Sequence, residues 1–130
     1  MSKALKDEIE VFWPEQKQQR VEMGDKLDVA REVVFFSYFK KKSDVAVAED
    51  ELMKLGYLVS SSLKTFGKSS LMAKTDSALT DVAVRKLLTE VITAVEAAGG
   101  EFDGFVAEVV EEGSDPRHSD DQKQPVGPTL

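Results

Sequence analysis

Glu32-Val33-Val34-Phe35-Phe36-Ser37-Tyr38-Phe39 is the stretch that decides the fold. It is β-branched and aromatic, with Val33, Phe35 and Phe39 on one parity and Val34, Phe36 and Tyr38 on the other. Strand side chains alternate between faces, so a run that is apolar on both parities predicts a central strand buried on both faces, or nearly so. Lys40-Lys41-Lys42 ends it. Downstream, Ser43 is placed to N-cap a helix with the stripe Val45, Ala48, Leu52 and Leu55, and Gly56 stands where a C′ residue belongs. Tyr57 to Thr65 alternates and predicts a second strand, Phe66-Gly67-Lys68 a hairpin-type turn, and Ser69 to Thr75 a third strand. Thr80 then caps a longer helix, with Val84, Leu88, Val91, Val95 and Ala98 facing inward and Gly99-Gly100 closing it. Glu101 to Val110 predicts the fourth strand.

The order β-α-β-β-α-β places the chain in the α+β class as a ferredoxin-like two-layer sandwich, with right-handed crossovers and both helices on one face of an antiparallel sheet. Residues 1–31 read as an N-terminal helical extension of the 32–110 domain. Within it, Leu5, Ile9 and Phe12 share a helical face, Pro14 interrupts, a second short helix follows over Glu15 to Met23, and Gly24 stops it. Residues 111–130 are rich in Gly, Ser, Pro and charge and read as a flexible tail. Helices cover only one face of such a sheet. The second apolar parity of the first strand therefore requires a cover, which could be the N-terminal helices, a second copy of the chain or a binding partner.

The 130 residues suffice for one core without disulfide or metal staples. A formal charge of −7 argues against a phosphate-neutralising surface and suits a partner with a basic face. With no cysteine, thiol nucleophiles, disulfides and Cys-ligated metals are excluded. The N-terminal residues lack the apolar region of a signal peptide and no stretch has the length of a membrane helix, so a cytoplasmic protein is expected.

The search for chemistry returns little. His118, the one histidine, lies in the tail beside Arg117, Ser119 and Asp120, which leaves no Ser-His or Cys-His pair for the core. No glycine-rich phosphate loop follows a strand, and no metal-ligand or cofactor cluster stands out. Asp103, between Phe102 and Gly104, is the one acid in an apolar setting; it reads as a solvent-facing or backbone-bonded carboxylate ahead of a catalytic one. The third strand, Ser69-Ser70-Leu71-Met72-Ala73-Lys74-Thr75, lacks the aromatics with which sheet-based RNA binders stack bases. A binding module is thus expected, without catalytic residues and without direct nucleic-acid contact. The alternative is a ligand-sensing or assembly domain that acts as a homo-oligomer, such as a homodimer, through its sheet face.

Three segments carry a family resemblance. Gly24-Asp25-Lys26-Leu27-Asp28-Val29-Ala30-Arg31-Glu32-Val33 with the aromatic strand after it, Leu55-Gly56-Tyr57-Leu58-Val59, and Gly100-Glu101-Phe102-Asp103-Gly104-Phe105 resemble the regulator of ribonuclease E activity B (RraB) family. In the last segment the family tends to show Glu-Tyr-Asp-Gly-Trp, so Phe102 and Phe105 stand in place of Tyr and Trp. The long acidic C-terminal run of its better-known members is diluted here by Arg117 and Lys123. The resemblance implies a non-catalytic protein that binds ribonuclease E or its complex and modulates RNA decay. On it, Glu101, Phe102, Asp103, Gly104 and Phe105, with Phe36 and Tyr38, become the candidate protein-binding or motif residues. Gly104 within a strand suggests a bulge or a close backbone approach, shaping either the core or a docking surface.

Overall fold

The aromatic strand takes the interior position its composition predicts. The computed structural model describes residues 1–111, in which β1 (Arg31–Phe39) lies between β3 (Ser69–Ser77) and β4 (Glu101–Ala107), and β2 (Leu58–Ser62) forms the edge beyond β3. All neighbouring pairs are antiparallel. Helix α3 (Lys42–Lys54) follows β1, and α4 (Asp81–Ala97) leads from β3 to β4. The class is α+β with a four-stranded antiparallel sheet, in the order β2-β3-β1-β4. The tail from 112 onward, with His118, lies outside the described residues.

The core sits between the sheet and the helices. Val33, Phe35 and Phe39 are at most 1% exposed, and they pack with Val45, Ala48 and Leu52 of α3 and Val84, Leu88, Val91, Ile92 and Val95 of α4. Phe35 is the hub: its ring lies 5.4 Å from Phe105, 6.3 Å from Phe102 and, edge-on, 6.2 Å from Tyr57. Thr80 caps α4 as expected, its hydroxyl accepting from the Ala83 N–H at 3.2 Å. Gly100 is required by a close approach, because a Cβ there would stand 2.3 Å from the Phe39 ring.

Four local expectations are corrected. Pro14 does not break the N-terminal extension, which is helical without interruption through α1 (Lys3–Asp7), a π-helical segment (Glu8–Phe12) and α2 (Trp13–Glu22). The Trp13 N–H reaches back five residues to the Glu8 carbonyl, and this wide turn just ahead of Pro14 accommodates a residue that cannot donate and that crowds the preceding turn. Helix α3 begins one residue before Ser43, with Lys41 at its N-cap and no side-chain cap bond. β4 ends at Ala107, before Val110, because the following residues turn away to bond α2 and the 25–31 segment. Most consequentially, β1 is buried on one face and only half-buried on the other. The extension does not cover the second face: Leu5 and Trp13 join the core cluster on the helical side, and α1 and the π segment pack against α4.

Candidate protein-docking surface

Cross-strand partners share a face, so the register defines the uncovered side of the sheet. Val34 stands opposite Lys74 and Val106, Phe36 opposite Met72 and Gly104, and Tyr38 opposite Ser70 and Glu101. Leu58 extends the row next to Lys74. Val34, Phe36 and Met72 are half-buried, while Tyr38, Val106 and Leu58 are 38%, 54% and 76% exposed. An apolar strip thus crosses the sheet where none of the described helices lies. Monomeric proteins rarely leave such contiguous apolar surface without a use for it.

The Glu101–Phe105 motif is divided between the two faces by a bulge. Phe36 pairs with Gly104 but Ser37 with Phe102, so Asp103 is the additional residue on β4. Phe102 and Phe105 are three apart and would point to opposite faces of a regular strand; the bulge lets both reach Phe35. Gly104 carries the distortion at φ +148°, a conformation that side-chain-bearing residues rarely adopt. A Cβ there would meet no described atom within 4 Å, so the flank of Phe36 on the β4 side is open.

Among the seven candidates, Phe36, Tyr38, Glu101 and Gly104 are brought together on the uncovered face. Phe102 and Phe105 are instead packed against the core. Asp103 projects from the bulge into solvent. Glu101 also bonds Lys68 from the β2–β3 loop at 3.4 Å, which places a charge pair at the rim of the strip.

Sequence reasoning missed a buried polar node at the other end of β4. Asp25 accepts from Arg31 at 2.6 Å, from Arg20 at 3.0 Å and from the Val110 N–H at 3.1 Å. Arg31 also donates to the carbonyls of Lys26, Val29 and Glu108, and Arg20 to that of Ala107 at 2.9 Å. The three side chains are at most 8% exposed. Burial alone pushes the Asp25 carboxyl up, but hydrogen bonds from Arg31, Arg20 and Val110 outweigh it and hold the group below its usual 3.8. The node fastens α2, the 24–30 loop and the exit of β4 together. The one signal for it in the sequence is spacing, with two arginines five and six residues from an aspartate that follows Gly24.

Trp13 connects this scaffold to α4. Its indole N–H donates to Asp81 at 3.0 Å, Lys17 binds the other oxygen of Asp81 at 2.9 Å, and the Trp13 ring lies 6.2 Å from Phe105. Among the described residues no group of three or more acidic or histidine side chains is arranged to hold a metal ion, and no helix is long and apolar enough to cross a membrane.

The family model described as "Regulator of ribonuclease activity B" (RraB) matches residues 16–106, well over half of the chain. No curated protein matches the chain.

Proposed function

The chain belongs to the RraB family of regulators of ribonuclease activity, and from that premise we propose that it docks on a ribonuclease through the uncovered face of its sheet. The target in this reading is ribonuclease E or the complex built on it, and the effect is inhibition or modulation of RNA decay in the cytoplasm without catalysis by this chain. The carrying observation is the strip Val34-Phe36-Tyr38 with Met72 and Val106, apolar and left half-buried or exposed beside a central strand whose other parity is fully buried. Burying those side chains against a partner supplies affinity, while the chain's net charge of −7 steers it toward a basic surface. The sheet order β2-β3-β1-β4 with helices after β1 and β3 supports placing the domain among ferredoxin-like folds.

The test uses the full chain and purified ribonuclease E from the same organism. Binding, together with slower cleavage of a model RNA, is expected, and both should be lost on Phe36→Asp. Cleavage that is unaffected by saturating protein would overturn the reading. Light scattering that showed a dimer abolished by the same substitution would instead assign the face to self-assembly.

A further inference from the structure

A second surface lies on the opposite side of the molecule, on the outer side of the helical layer. Between α3 and α4 runs a groove of about 690 Å³, the size of a site that receives several side chains. Its floor and walls are small or apolar, formed by Ala46, Val47 and Leu55 on one side and Thr93, Ala94 and Ala97 on the other. Val47 and Leu55 are 58% and 43% exposed, so apolar area is available at both margins.

Among the described residues, every charged side chain that lines the groove is acidic: Asp50, Glu51 and Glu90. Glu90 is held in place from below, since the buried Tyr57 hydroxyl donates to its Oε1 at 2.8 Å. Its Oε2 stands 4.0 Å from Lys86 and Asp50 lies 3.0 Å from Lys54. Both are i,i+4 pairs whose lysines are exposed, and such pairs contribute little and exchange readily for a better partner. A carboxylate accepts about four hydrogen bonds, so Glu90 retains capacity for an arriving guanidinium beside its tyrosine.

We propose that this groove is a docking site for a basic amphipathic helix of a partner protein. The apolar floor takes side chains spaced at i, i+3 or i+4 and i+7, and an arginine or lysine between them meets Glu90 and Glu51. The charge of the lining selects the occupant: an acidic helix would bring like charges into a partly desolvated cleft. The inference does not depend on the sheet face or on the ribonuclease.

The experiment follows amide shifts of the isotope-labelled full chain on titration with a synthetic helix-forming peptide of about 16 residues. The peptide carries leucines along one face and arginines beside them; a control keeps the leucines and replaces each arginine by glutamate. Shifts confined to α3 and α4 are expected, with the control about tenfold weaker or worse. Glu90→Gln should weaken the basic peptide about fivefold, and Val47→Lys about tenfold, with the circular dichroism of the chain unchanged. Equal affinity for the two peptides, no binding of either, or shifts centred on Val34, Phe36 and Tyr38 would each overturn the proposal.

Discussion

β1 presents two faces that differ by one residue of phase. One carries Val33, Phe35 and Phe39, all at most 1% exposed under two helices. The other carries Val34, Phe36 and Tyr38, similar in chemistry and left half-open or exposed. Composition does not separate them; the helices do. The same aromatic residue type holds the fold together on one side and is available for recognition on the other. Substitutions on the first face should therefore act on stability, and those on the second on binding.

The largest effect is expected at Phe35. Phe35→Ala removes the hub of the aromatic cluster and should cost about 3–5 kcal/mol, read by urea denaturation or, if the variant does not fold, by loss of soluble protein. A cost below about 1 kcal/mol would break the distinction between the faces.

Asp25→Asn tests whether the polar node supports the fold as the apolar face does. It leaves Arg20 and Arg31 buried beside a neutral amide and should cost about 3 kcal/mol at pH 7. Because the folded carboxyl lies below its ordinary 3.8, its contribution is complete above that value and is lost as the pH falls through the lower folded one. The gap between wild type and variant should thus hold from neutral pH down to about 4 and narrow in stronger acid, as checked by denaturation across that range.

Gly104→Ala is expected to cost about 2 kcal/mol through its φ of +148° alone, since the added methyl meets no neighbour. It sharpens the comparison at the bulge, where one residue's conformation keeps Phe102 and Phe105 on the same side. Phe36→Ala should have the smallest effect on stability, within about 1 kcal/mol by thermal unfolding, and yet weaken ribonuclease binding about tenfold. A stability loss equal to that of Phe35→Ala would mean that the second face is structural.

The sequence made the first of these faces easier to read than the second. An apolar run on both parities marked β1 as interior, and stripes at helical spacing marked both core helices, because burial imposes a period that local residues must keep. Gly104 announced a bulge for the same kind of reason. What covers the second parity was not legible: Leu5 and Ile9 show that the extension has an apolar stripe, but not that the stripe joins α4 in the helical layer. The node was hidden more deeply. Arg20, Asp25 and Arg31 look like solvated charges in a polar segment, and their burial depends on carbonyls from residues 107 and 108, which no local pattern links to them. Pro14 misled in the opposite direction, since a wide helical turn solved a problem that ordinary helix geometry cannot.

The pairing of β1 also shapes how the protein is made. Synthesis delivers this apolar strand before either neighbour: β3 follows only after α3 and β2, and β4 only after α4. Asp25 waits for the Val110 amide over the same interval. A nascent chain therefore holds its stickiest segment without strand partners until β3 and β4 have been made. Slow codons or a pause before Glu101 would prolong that exposure, and a chaperone that shields the Val33–Phe39 run would shorten its risk.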